Sequence, residues 1–201
     1  MSDHAFTAGD GCLRVELNTK EDNFEADGHQ FEMLLKDEQE LELGNLKIKV
    51  LYTPGHTPAC VSLVIGDAVF TGDTLFMPDM GTARCDFPAG SVEGLYRSIQ
   101  RLYKLPDDTR VFVGHDYAPG GREYTWETTI GESKAFNKQI KANTPLEEFS
   151  EFRKARDASL NPPKLILPSL QINLRNGAMP PEEDNGVSYL KLSASQCLGQ
   201  R

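Results

Sequence analysis

The stretch "TPGHTPACVSLVIGDAVFTGDTLF", residues 53–76, decides how this chain folds. Pro54 and Gly55 make a turn, and Thr57 and Pro58 close it, so the His56 imidazole is held on a short rigid loop instead of in a strand or helix. Two apolar strands follow, joined at Gly66 and Asp67, a tight-turn dipeptide suited to the twist of antiparallel strands. The second of these strands is expected to end at Asp73. Upstream, "LELGNLKIKVLYTPG" from Leu41 alternates apolar and polar residues through Leu46, Ile48 and Val50 around a turn at Gly44 and Asn45. That pattern is a hairpin running directly into the His56 loop.

Downstream, "SVEGLYRSIQRLYKLPDD" places Val92, Leu95, Ile99 and Leu102 at helical spacing, with Ser91 as N-cap and Pro106 as stop. "TRVFVGHDY" reads as a short buried strand whose C-terminal end carries His115, so sheet and helix alternate as in a layered α/β protein. A second helix is expected over Thr128 to Ile140. A third begins at Thr144, with Pro145 at its first position and Glu147 three residues after Thr144, close to a capping box, and runs to about Leu160. Its basic residues Arg153, Lys154 and Arg156 are expected to be solvated surface. After Asn161 the chain turns proline-rich and reads as irregular, and "DNFEADGHQFEMLLKDEQ" near the start has turn residues but weak periodicity.

A chain of 201 residues suits one domain, 1–201, with 161–201 as an irregular C-terminal extension packed on it. Its 39% hydrophobic and 25% charged content are those of an ordinary globular protein, and no apolar run approaches membrane-spanning length. The net charge of -9 disfavours nucleic acid, whose phosphates attract clustered Lys and Arg. Cys12, Cys60, Cys85 and Cys197 are widely separated with no C-x-x-C pair, as expected of free thiols in the reducing cytoplasm.

Three candidate metal ligands lie at strand-to-loop junctions: His56 in "TPGHT", Asp73 in "FTGDTLF" and His115 in "VFVGHDY". Imidazole and carboxylate are the usual donors to Zn(II) or Fe(II), and small turn residues beside each let the side chains converge above a sheet. Each has a plain alternative, a loop histidine or a turn-capping aspartate. Cys85 has no evident adjacent base, which argues against a nucleophilic role.

Taken together, "TPGHTPACVSLVIGDAVFTGDTLF", "GTARCDF" and "VFVGHDY" resemble the metallo-beta-lactamase superfamily, and within it the bacterial-type persulfide dioxygenase and glyoxalase II branch. The tail "ARDASLNPPKLILPSLQINLRNG" is similar to sulfur dioxygenase relatives, so the resemblance covers roughly Asp27 to Leu192. It implies an α/β fold, the αββα sandwich, and assigns His56 and Asp73 as two of three protein ligands to one Fe(II) per chain, with Zn(II) as the alternative. His115 takes a second-site position, filled by metal in hydrolytic relatives and retained without iron in the dioxygenase branch. Arg84 matches the position that holds a carboxylate of glutathione or a similar thiol carrier; its alternative is a surface ion pair with Asp79 or Asp86. Tyr117 would orient substrate or Asp73, or else join the core, and Thr71 would support the ligands from behind.

The superfamily's H-x-H-x-D-H signature is absent: the only histidines ahead of "TPGHT" are His4 and His29, and neither supplies it. The fold is therefore expected to be N-terminally incomplete, exposing a sheet edge and apolar surface, as in a fragment, a mispredicted gene start or a decayed paralogue. Three functions follow: iron-dependent oxidation of a glutathione-like persulfide to sulfite, thiolester hydrolysis at a dinuclear site bridged by Asp73, or a silent binding remnant. The expected partner is a small thiol or persulfide, and a homodimer is compatible with the reading.

Overall fold

The computed structural model describes residues 28–161 and 163–191; His4, Cys12 and Cys197 lie outside the described residues. Among the described residues two compact units are present, one of residues 35–160 and one combining 28–34 with 161 and 163–191. The larger holds a six-stranded sheet in the order β1 (Glu40–Leu43), β2 (Leu46–Tyr52), β3 (Val61–Ile65), β4 (Ala68–Phe70), β5 (Arg110–Phe112) and β6 (Glu127–Thr129). Each neighbouring pair is antiparallel except β4 and β5, which are parallel and connected through α1 (Val92–Leu102). Because β2, β4 and β5 therefore run in one direction, their C-terminal ends share one edge of the sheet. His56, Asp73 and His115 each follow one of those ends.

Cross-strand register sorts the side chains into two faces. Leu51, Val64, Val69 and Val111 share the face packed with Leu95, Ile99 and Leu102 of α1, together with Phe149 of α3 (Leu146–Ala158). Burying side chains of this size contributes about 1.5–3 kcal/mol each. The opposite face carries Leu41, Ile48, Leu63, Ile65, Phe70 and Phe112, with the two phenylalanine rings stacked at 5.0 Å. Leu43, Leu46, Tyr52 and Phe70 on that face are exposed.

The first hairpin and α1 form as the sequence pattern predicts, and the Ser91 side chain caps α1 by accepting from Gly94 N at 3.0 Å. Other boundaries differ. β4 stops at Phe70 because Thr71 begins a turn: Thr71 N–H donates to Phe112 O at 3.0 Å, and Thr74 N–H donates to Thr71 O at 3.1 Å. The expected helix from Thr128 is an edge strand through Thr129, and only then α2 (Ile130–Phe136), capped by the Thr129 hydroxyl. α3 starts one residue later than expected, with Pro145 at the N-cap, since the Thr144 hydroxyl accepts from Lys141 N–H instead of closing a capping box. Arg153 is 2% exposed, which overturns its reading as solvated surface.

In the smaller unit, the stretch read as irregular contains α4 (Ile166–Asn173). Pro168 falls in its first turn, where a missing N–H costs no intrahelical bond. Within the same unit the Gln171 side chain donates to Leu167 O and accepts from Lys191 N–H, and Gln30 donates to Leu174 O.

Three loops at the shared sheet edge are pinned by backbone contacts. The His56 loop rests on the start of α1: Ser91 N–H donates to Gly55 O at 2.8 Å and the Ser98 hydroxyl to Pro54 O at 2.7 Å. Gly55 has φ +145°, and a Cβ there would lie 2.3 Å from Leu95 N. The Asp73 turn touches the His115 loop where Gly114 N–H donates to Gly72 O at 3.3 Å, an approach that a side chain at Gly114 would obstruct. Beyond His115, Arg122 clamps the loop, pairing with Asp116 at 2.6 Å and with Asp79 at 2.6 Å. Hydrogen bonds from the Arg122 guanidinium hold both carboxyls below the usual carboxylate range.

Two outcomes are expected. Gly55→Ala should displace the His56 loop or lower the thermal midpoint by several degrees, since neither its φ nor the Leu95 backbone can yield cheaply; a calorimetric scan checks it. Asp79 and Asp116 have folded pKa values lower than the unfolded ~3.9, so their contribution is complete above that pH and lost as pH falls through the folded values. Urea midpoints between about pH 5 and 2 should therefore fall more steeply in the native protein than in Arg122→Gln.

Candidate metal centre

The His56 side chain is 13% exposed and its ring lies 4.8 Å from that of Phe87. Its Nδ1 is 2.8 Å from the carbonyl oxygen of Arg84. A carbonyl only accepts, so this bond places the proton on Nδ1 and leaves the Nε2 lone pair available. Nε2 is 3.7 Å from Asp73 Oδ2. The other carboxylate oxygen of Asp73 is 2.5 Å from His115 Nδ1, on a ring that is 55% exposed. Asp73 thus stands between two histidines, presenting one oxygen to each.

Two donors each about 2.0–2.2 Å from one ion sit on the order of 3–4 Å apart, so the separation of His56 Nε2 and Asp73 Oδ2 fits a shared cation. The pair is nevertheless only part of a site: among the described residues, no group of three or more His, Cys, Asp or Glu side chains is arranged to hold a metal ion. His115 meets the carboxylate directly, through a hydrogen bond.

Around these three groups, the structure places the remaining candidates unevenly. Arg84 pairs with Asp86, Nε to Oδ1 at 2.5 Å, not with Asp79, which Arg122 engages. The Arg84–Asp86 pair, one of the two alternatives for Arg84, forms and is partly buried, and the guanidinium lies 5.1 Å from the Phe87 ring centroid. Burial pushes the Asp86 carboxyl up, but its bonds to Arg84 outweigh that and leave it below its ordinary value. Tyr117 is 59% exposed, which excludes the core alternative; its ring stacks on His115 at 6.0 Å and meets Phe76 edge-on. Thr71 is fully buried and donates to Leu75 O at 2.8 Å, bracing the Asp73 turn. Burial, and then the nearby Asp157 carboxylate, push the Cys85 thiol up to about 12, so it is an inert packing group. His29 belongs to the smaller unit.

Several residues that shape the site escape a sequence reading. Asp86 and Phe87, which fix Arg84 and His56, lie inside the quoted "GTARCDF" but carry no periodicity. Arg153 and Asp157 sit behind that segment; their i, i+4 spacing is a visible signal, though it usually marks an exposed pair. Arg122 follows no helical or strand spacing, since its partners Asp116 and Asp79 are 6 and 43 positions away.

Comparison with known proteins agrees with this architecture. Residues 4–115 match the family model of the Metallo-beta-lactamase superfamily. "Glyoxylase B2" of Dictyostelium discoideum is 51% identical over 92% of this chain and 65% of its own length. The mitochondrial "Persulfide dioxygenase ETHE1" of Homo sapiens is 29% identical over 77% of this chain and 58% of its own. The crystal structure of ETHE1 from Myxococcus xanthus superposes with a TM-score of 0.64 and 39% identity, covering 72% of this chain and 60% of that one. The chain thus spans less than two thirds of the length of each of these relatives. On the match over more than half of its residues, supported by the mixed α/β fold, this chain belongs to the metallo-beta-lactamase superfamily.

Proposed function

We propose that His56 and Asp73 contribute two ligands to a mononuclear iron centre that oxidises a glutathione-like persulfide to sulfite. The observation that carries this reading is the free Nε2 of His56 facing an oxygen of Asp73 at 3.7 Å, with Nδ1 committed to Arg84 O. The likeness to the human persulfide dioxygenase and to the solved ETHE1 structure supports the choice of substrate class. A bound Fe(II) would supply open positions for a thiolate and dioxygen. In atoms, a persulfide RSSH with O2 and water gives RSH, sulfite and two protons.

The chain's own residues have distinct tasks in this reading. His115 donates from Nδ1 to Asp73 and orients that carboxylate, leaving the oxygen near His56 to face the centre. Arg84 meets a carboxylate of the thiol carrier with a guanidinium already oriented by Asp86 and Phe87. Tyr117, exposed beside His115, lines the approach. The third ligand would come from an H-x-H-x-D-H segment, which none of the chain's four histidines supplies.

A second reading draws on the same contact. Asp73 with an oxygen toward each histidine is also what a carboxylate bridging two metals requires, and "Glyoxylase B2" is among the relatives; Zn(II) and thiolester hydrolysis would then replace iron and persulfide.

The deciding experiment joins a relative's H-x-H-x-D-H segment ahead of this chain and measures bound metal, oxygen uptake with glutathione persulfide and hydrolysis of a glutathione thiolester. One iron per chain and oxygen uptake are expected, with His56→Ala lowering metal affinity about tenfold or more. Two zinc ions and thiolester hydrolysis would favour the second reading. Equal oxygen uptake by the unextended chain would show the ligand assignment to be wrong, and an extended chain that binds no metal would identify a silent remnant.

A further inference from the structure

Behind the Arg84–Cys85 peptide lies a charge pair with no part in the function proposed above. Arg153 and Asp157 occupy the inner side of α3 in line with Phe149, and their side chains are 2% and 6% exposed. Arg153 Nη2 is 2.7 Å from Asp157 Oδ1. Removing two charges from water is expensive, and apolar residues of similar volume are often at least as stabilising. The contacts of this pair are therefore more informative than its mere burial.

Those contacts converge on one short segment. Asp157 Oδ2 accepts from Cys85 N–H at 2.9 Å. Arg153 Nη1 donates to Gln139 Oε1 at 3.0 Å and to Thr82 O at 3.3 Å, and Gln139 Oε1 also accepts from the Thr82 hydroxyl at 2.9 Å. Cys85 N–H and Arg84 C=O belong to the same peptide group, whose planar trans geometry points them in opposite directions. On the far side, that C=O accepts from His56 Nδ1 at 2.8 Å.

We propose that Asp157, backed by Arg153, is a positioning residue for His56: through the Arg84–Cys85 peptide it holds the carbonyl that keeps the ring proton on Nδ1 and the Nε2 lone pair toward Asp73. A carboxylate on the N–H polarises the peptide and makes its carbonyl a better acceptor, a strengthening on the order of 10–30% per bond in such chains. The arrangement does for His56 what a directly bonded carboxylate does for many metal-ligating histidines, with one peptide group interposed. Gln139 and Arg153 hold Thr82, Asp157 holds Cys85, and the Arg84 carbonyl between them has little freedom to turn away.

The inference rests on His56 Nε2 being a donor, as in the function proposed above, but not on which reaction follows. Its first readout needs neither metal nor substrate. In the 15N-labelled chain, at a pH where the ring is neutral, two-bond proton–nitrogen correlations should show His56 with the proton on Nδ1. An Nε2–H tautomer in the native protein would overturn the proposal without any variant.

In Arg153→Met/Asp157→Leu, which replaces the pair with apolar groups of similar size, the fold should hold with a melting temperature lowered by the unpaired Cys85 N–H and Thr82 O, while His56 becomes a mixture of tautomers. Affinity for Zn(II) alone should fall about 10–100-fold. Arg153→Met/Asp157→Asn, which returns a neutral acceptor to the Cys85 N–H, should restore the Nδ1–H form, a rescue that a purely structural role does not provide. A folded Met/Leu variant that keeps the native tautomer and binds Zn(II) within about twofold of the native chain refutes the relay. If the unextended chain binds no Zn(II), as its incomplete ligand set allows, the tautomers of native and variant chains still decide on the relay.

Discussion

The hydrogen bond between the His56 ring and the Arg84 carbonyl spans 28 positions and joins the loop after β2 to the segment after β4. Much of the site's order follows from it. The bond selects a ring tautomer, and with it which nitrogen faces Asp73. It also requires that both loops be held to within hydrogen-bonding tolerance, a few tenths of an ångström. The chain meets that requirement with backbone: the Gly55 carbonyl accepts from the first amide at the α1 cap, and the packing of Gly55 against Leu95 leaves no room for a side chain. A loop with so little space beneath it is part of the scaffold, which is what a site built on loops needs in order to keep its geometry.

Ion pairing then sets Asp73 apart from the other acidic residues of the site. Asp73, between two imidazoles, is the carboxylate nearest to the candidate donors, while Asp79, Asp86 and Asp116 are each engaged by an arginine. This division is chemically useful. A carboxylate already bonded bidentately to a guanidinium is a poor competitor for a cation, so the acidic residues around the site do not offer rival binding positions. Arg122 serves two purposes, neutralising two neighbouring aspartates and closing the loop that carries His115 and Tyr117.

Much of the scaffold was legible because its signals are local. Gly44–Asn45 and Gly66–Asp67 mark their turns, the period-two pattern of β2 marks its faces, and Ser91 with Leu95, Ile99 and Leu102 defines α1. The three candidate donors were legible as strand-end residues, and strand direction explains why they meet at one edge. What was illegible depends on contacts distant in sequence. Thr128 and Thr129 have helical neighbours, yet pairing with β5 draws them into the sheet. Thr144 had two possible acceptor roles and the turn from Lys141 took it. Arg153 is the largest miss: on α3 the buried line runs Phe149, Arg153, Asp157, and a pattern rule that equates charge with solvent assigns two of those three to the wrong side.

That buried line also shows why charge was retained where an apolar residue would pack. Apart from an isolated antiparallel bridge between Thr82 and Leu75, the segment 82–85 has no regular structure to satisfy its backbone, and Cys85 N–H and Thr82 O both face the interior. Leaving such groups unpaired costs about 1–3 kcal/mol each, and a leucine in place of Asp157 could not accept from the Cys85 amide. A lone aspartate could, but would itself be a buried charge, so Arg153 is the counterion that makes the aspartate tolerable, and its spare donors then reach Gln139 and Thr82. The ion pair is thus a consequence of placing an irregular, site-bearing segment against a helix. The same carboxylate that satisfies the Cys85 amide reaches, one peptide further, the carbonyl on which the orientation of His56 depends.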